Sequence, residues 1–180
     1  MSTAKIIQTI LESIKTEFEV FGEKCPNSQV VWAQLAISNH KMPTELEYFY
    51  QCCNGIRRIK EDEYFSFKIF PVEKLIAMAP ILGLEEEDDL LEEFDLIDDQ
   101  DWVTIASEGE YGYYFLNCNP ESVQYNNVIG IINNIPEKFY QWNSFEKFLK
   151  DLEGYCKKHP LVKYKESYIC SNPTYGNFEE

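Results

Sequence analysis

The sequence predicts an α+β fold: a mostly antiparallel sheet of about five to six strands, flanked by N-terminal, central and C-terminal helices. Three observations lead there. The first twenty residues carry apolar side chains at helical spacing. From Trp102 to Trp142, short aromatic-rich runs alternate with turn-prone groups, as hairpin-connected strands do. A second strongly amphipathic stretch then follows Asn143. The order of helices, strands and helix, with no βαβ alternation, argues against a parallel sheet.

Each element has its own warrant. Ile7, Ile10, Leu11, Ile14 and Phe18 recur at spacings of three and four, predicting a helix from about Thr3 to Phe21, stopped by Gly22 and Cys25-Pro26-Asn27. The apolar run from Val30 to Ile37 fits a strand or a helical turn, and periodicity does not choose. Pro43 precedes Thr44-Glu45-Leu46-Glu47, a capping-box pattern opening a helix. Leu46, Phe49, Tyr50 and Cys53 form the buried stripe of that helix, and Asn54-Gly55 supplies a left-handed stop. From Glu63 to Phe70 the period becomes two, with Phe65, Phe67 and Ile69 on one side of a strand. Pro71 opens a short helical segment through Met78, with Leu75 and Met78 inward.

Trp102–Ala106, Tyr113–Asn117, Val128–Ile132 and Phe139–Trp142 read as successive strands. Glu108-Gly109, Asn119-Pro120 and Asn133-Asn134 supply the turns between them. Asn143 and Glu146 give a second capping-box-like signal, ahead of the stripe Phe145, Phe148, Leu149, Leu152 and Tyr155. Residues 157–180 hold no sustained period and read as an ordered arm or a loose tail. With no repeat and no linker, the whole of 1–180 reads as one domain.

Charge narrows the function. Thirty-one acidic against sixteen basic residues give a formal net charge of −15. Such a field repels phosphate backbones and anionic lipid, so direct nucleic-acid and membrane-surface binding are disfavoured and a basic protein partner is favoured. The six cysteines contain no C-x-x-C pair, and neighbouring Cys52 and Cys53 sit too close for a relaxed bridge. No signal peptide or bilayer-spanning run is legible. Free thiols in a cytosolic protein are the expectation.

The chain resembles a known family. Met42-Pro43 through Cys52-Cys53-Asn54-Gly55 is similar to the opening signature of the SMI1/KNR4, or SUKH, superfamily: a proline-led, aromatic-rich helix ending in Asn-Gly. Similar too are the strand and short helix from Phe67 to Leu75, the tryptophan-led strand Trp102 to Ala106, and Asn143-Ser144-Phe145-Glu146-Lys147-Phe148-Leu149, close to the family's S-F-x-x-F-L helix. The resemblance covers about 43–152. Departures are Met42 for the usual leucine, Ile56 for a second glycine, Asn117 for an aspartate, and a longer acidic insert. The resemblance implies an α+β fold without shared catalytic residues, and structural roles for Pro43, Asn54, Gly55, Trp102, Phe145 and Phe148. It also implies action by binding. Bacterial members commonly neutralise toxins, often nucleases, as immunity proteins, and fungal members act as interaction hubs in cell-wall signalling.

The leading candidate for partner binding is the acidic stretch: Glu85, Glu86, Glu87, Asp88, Asp89, Glu92, Glu93, Asp95, Asp98, Asp99 and Asp101. These eleven acids, with no base among them, leave only −15 + 11 = −4 for the rest of the chain. A carboxylate array of this density matches the basic face of a nuclease. The plainer reading is a solvated face with Leu90, Leu91, Phe94, Leu96 and Ile97 packing inward. Tyr111 and Tyr113, with Tyr125 and Tyr140, are candidate contact aromatics or sheet-face packing.

No catalytic motif is present, so no enzymatic activity is expected. His40 near Cys52 or Cys53 is the only candidate pairing of base and thiol, and Cys53 falls on a buried stripe. Glu108 and Glu110 read as decoration of a hairpin turn. The acids lack the EF-hand order and only two histidines exist, so neither metal nor cofactor is expected.

Overall fold

In the computed structural model, residues 2–59, 67–78, 81, 101–109, 112–132, 139–158, 161–164 and 167–170 are described. The fold class is α+β, as the sequence predicts. Its main sheet has eight strands rather than five or six, all antiparallel.

Helix α1 (Thr3–Ile14) buries Ile7, Ile10 and Ile14. It ends earlier than its periodicity suggests, because Phe18–Val20 forms strand β1. Phe18 is buried as expected, but by pairing opposite Arg58 of β2 (Ile56–Arg58) instead of on a helix face. A residue four beyond Ile14 lies inward in either conformation, so the period alone does not separate them. The undecided run resolves as helix α2 (Ser28–Leu35), ended by Ala36 at φ 50°. Its Trp32 is buried, with the indole N–H donating to the His40 carbonyl at 2.8 Å.

Helix α3 (Thr44–Cys52) starts at Pro43 and buries Leu46, Phe49 and Tyr50. No capping box forms there. Glu47 instead accepts from Gln29 Nε2 at 2.9 Å, and Glu45 reaches another helix. The helix ends on extended Cys53, and the left-handed residue is Gly55, at φ 86°. Asn54 Oδ1 accepts the Val72 N–H at 3.0 Å and its Nδ2 donates to Glu73 at 2.9 Å. The Asn-Gly pair thus ties the helix end to the 3-10 turn Val72–Lys74 that follows β3 (Phe67–Ile69). Residues 63–66 of that expected strand lie outside the described residues. The helical segment expected through Met78 stops at this turn. Ile76–Ala77 is strand β4, while Leu75 and Met78 are buried as predicted.

Strands β5 (Trp102–Glu108), β6 (Gly112–Asn117), β7 (Val128–Ile132) and β8 (Phe139–Trp142) follow as the sequence reads them. The sheet runs β1-β2-β3-β5-β6-β7-β8, with β4 also paired to β5. A bulge at Ile105 places Val103, Ile105 and Ala106 in the same core, where strict alternation would split them. On β6 the alternation is clean: Tyr114 and Leu116 join the large core under the helices, and Phe115 joins a second cluster with Met78, Trp102, Ile129 and Ile131. Both sides of the central strands are therefore buried.

Helix α4 (Phe145–Lys158) closes the large core with Phe145, Phe148, Leu149, Leu152 and Cys156. Phe148 packs 5.3 Å from the Tyr114 ring and 5.1 Å from Trp142, and Phe145 stands 5.7 Å from Phe49. The cap is Ser144, whose Oγ accepts the Lys147 N–H at 3.1 Å, not Asn143. Glu45 of α3 accepts the next free amide, Glu146 N–H, at 2.8 Å. Beyond α4, β9 (Leu161–Tyr164) and β10 (Ser167–Cys170) pair as a separate hairpin.

Candidate interaction surface

Strand pairing gathers several features at one end of the sheet. Ala77 of β4 pairs with Val103 of β5, so the chain leaves the sheet after Met78 and re-enters it at Asp101 on the same side. The acidic stretch is the connection between these two neighbouring strands. Trp102 pairs with Asn117, so the β6–β7 loop (118–127) springs from this end too. Val128 pairs with Trp142, which brings in the start of α4.

Asp101 is the only member of the acidic stretch among the described residues. Glu85, Glu86, Glu87, Asp88, Asp89, Glu92, Glu93, Asp95, Asp98 and Asp99 lie outside them. Asp101 is 7% exposed, and both its carboxylate oxygens and its carbonyl are engaged. Oδ1 lies 3.0 Å from His40 Nε2, Oδ2 accepts from Asn119 Nδ2 at 2.9 Å, and the carbonyl accepts the Cys118 N–H at 2.7 Å. Asp101 thus acts as an anchor: it fixes the point where the acidic stretch rejoins the sheet to both the α2–α3 connection and the 118–127 loop.

That loop is held by its own polar groups. Asn117 Oδ1 accepts the Asn119 N–H at 3.1 Å, and Asn119 Oδ1 accepts the Glu121 N–H at 2.9 Å. Ser122 Oγ accepts the Gln124 N–H at 3.1 Å, while the Ser122 carbonyl takes the Tyr125 N–H at 3.1 Å. Reciprocal bonds at 2.9 Å, Asn117 N–H to Asn127 O and Asn126 N–H to Asn117 O, close its base, with Asn126 at φ 65°. Asn and Ser side chains that satisfy nearby backbone amides in this way fix a loop without a ladder. At its tip Val123 is 90% exposed, and Tyr125 is 37% exposed. Beside Tyr125 lies a recess of about 340 Å³ lined by Thr3, Thr44, Glu45, Tyr48, Tyr125 and Asn126. Burial, then Cys118 and then Glu45 raise the Tyr125 pKa, so the phenol stays a neutral donor.

Tyr113 and Tyr140 lie elsewhere on the sheet. Tyr113 is half-buried against the second apolar cluster. It is four residues up β6 from Asn117, about 14 Å at the rise of a strand. Tyr111 lies outside the described residues, and Tyr140 is half-buried on edge strand β8. Val123 escaped the sequence reading because one valine in a polar stretch has no period. The recurrent Asn and Ser of 117–127 are the signal that marks a built loop.

At the opposite end of the sheet a polar cluster is enclosed. Tyr114 donates its hydroxyl to Glu108 Oε2 at 2.8 Å, and Arg58, 5% exposed, stacks 5.2 Å over the Tyr155 ring. Burial is the main cause that pushes Glu108 above the usual carboxylate range. Glu108 is half-buried and turns its carboxylate inward to Tyr114 instead of only decorating a turn, while Glu110 lies outside the described residues. A groove of about 220 Å³ between α1 and β1 is lined by Ile14, Phe18, Cys52 and Cys53 among others. His40 is engaged with Asp101, and burial pushes the Cys53 thiol up to about 12, far from a nucleophile at neutral pH. Among the described residues no group of three His, Cys, Asp or Glu side chains converges as metal ligands, and no helix is long and apolar enough to cross a membrane.

Among the described residues, four helices pack against an eight-stranded antiparallel sheet, and an acid-rich segment of sequence joins two of its paired strands, which defines an α+β fold. The chain belongs to the SMI1 / KNR4 family (SUKH-1), whose model matches residues 26–151. The match reaches back past Pro43 to include α2. No curated protein matches the chain.

Proposed function

We propose that this protein works by stoichiometric binding of a basic protein and turns over no substrate, and that its partner is a toxin, such as a nuclease domain, which it neutralises as an immunity protein. The observation that carries this reading is the concentration of acids in 85–101, a run that rejoins the sheet at Asp101. Eleven acids fall within seventeen residues of the segment between paired strands β4 and β5, and the last of them, Asp101, bonds to a self-bonded loop with an exposed apolar tip. Opposite fields speed encounter and fix orientation, and a carboxylate array laid on a nuclease's basic face excludes its anionic substrate. Family membership supports action by binding. The engaged His40 and the raised Cys53 thiol give no support to nucleophilic chemistry. Cys25, Cys52, Cys53, Cys118 and Cys156 are free thiols, which suits a reducing, cytosolic setting.

Affinity capture from the native host, with the intact chain as bait at low and then high salt, tests this reading. Recovery of one basic toxin-like protein, released as salt rises, is the expected result. Recovery of signalling or cell-wall proteins instead would replace toxin neutralisation with a scaffold role.

A further inference from the structure

From the 118–127 loop we infer a preorganised recognition element whose anchor is Val123, docking into an apolar recess on a basic folded partner; this rests on the binding reading above and assigns its short-range contact. A lone exposed valine on a flexible loop would carry no meaning, since apolar atoms are common on surfaces. The loop around Val123 is of another kind. Between Asn117 and Asn127, every residue that has a backbone N–H, Val123 itself excepted, donates it to a named acceptor within the loop or on Asp101. Three of its side chains and five of its backbone carbonyls are spent on holding a shape, and what that shape presents to water is a branched apolar side chain with Glu121 and Tyr125 on either side. Rigid presentation removes most of the ordering entropy that binding otherwise costs.

Position sets the partner's chemistry. Asp101 bonds to Asn119 and to the Cys118 amide, so the loop is locked to the point where the acidic stretch rejoins the sheet. A partner drawn by the chain's −15 charge therefore meets Val123 at the same sheet end. A second copy of this chain would bring like charges together, which disfavours self-association through this end. The two features divide the kinetics. Charge governs the rate of arrival and its salt dependence, and the desolvated apolar anchor governs the rate of departure.

A photo-crosslinking phenylalanine analogue placed at 123, and separately at Val30 on α2 (57% exposed), tests the assignment in the native host. The expected result is an adduct with one basic protein from position 123 and none from 30. With that protein purified, Val123→Ala should dissociate about tenfold faster with its association rate unchanged within about twofold, while Val30→Ala matches the parent. An adduct with an acidic partner, adducts from 30 alone or none from either site, or a Val123→Ala complex that dissociates like the parent, would overturn the inference. A basic partner that is no toxin would sink the immunity reading and leave Val123 standing. A toxin whose dissociation ignores Val123 would do the reverse.

Discussion

Gly55 sits at φ 86°, and a Cβ there would meet Pro71 N at 2.7 Å and Ile69 O at 2.8 Å. Both the conformation and the backbone contact exclude a side chain, so Gly55→Ala is expected to cost about 3 kcal/mol in chemical denaturation. Gly154, inside α4 with nothing within 4 Å of its Cβ position, is the matched opposite. Gly154→Ala should stabilise by about 0.5–1 kcal/mol. The same substitution with opposite signs separates a required glycine from a tolerated one. Glu108 yields a pH prediction. Burial raises its pKa above the ordinary 4.5, so the folded state holds that proton more tightly than the unfolded chain does. Its contribution is favourable below 4.5 and is lost as pH rises from there through the raised folded value. Glu108→Gln keeps an acceptor for the Tyr114 hydroxyl without the buried charge. It should melt higher than the parent at pH 7, with the gap closing toward pH 4.

At the scale of elements, the joint between α3 and α4 explains why the Pro43 helix and the S-F-x-x-F-L helix occur together. Glu45 and Ser144 each take one free amide at the start of α4, and Phe49 packs on Phe145 just below. Ser144→Ala and Glu45→Ala should each cost about 1 kcal/mol, and the pair should depart from additivity because both act on one helix end. Thermal denaturation of the two single variants and the double variant measures this. Strands β5 to β8 and the stripe of α4 were legible because each carries a period that packing enforces. The α1–β1 boundary was not, since Phe18 points inward as helix or strand. Caps were misread at both Thr44 and Asn143 for one physical reason. A capping pattern names residues able to bond an amide, while tertiary neighbours decide which carboxylate or hydroxyl arrives: Gln29 draws Glu47 away, and Glu45 crosses to α4.

Over the whole molecule, the sheet sorts its polar groups by end. One end gathers Arg58, Glu108 and Tyr114. The other receives the acidic connection, the asparagine-built loop and the α3–α4 joint. Sequence alone marked the acids but not their neighbours, because only strand pairing shows that 78 and 101 are adjacent and that 118–127 lies beside them. It also grouped Tyr113 with the acids, whereas the length of β6 separates it from Asp101. Asp101, counted among the acids by composition, is a buried anchor of that end.

The central claim is that this charge recruits a basic protein. Stopped-flow association with the captured partner, from about 20 to 300 mM salt, tests it most directly. The comparison is the parent chain against Glu86→Gln, Asp88→Asn, Glu92→Gln and Asp95→Asn combined. The account predicts that the parent associates at least tenfold faster at the low-salt end, and that the two chains converge as salt rises. Equal rates at low salt would contradict it.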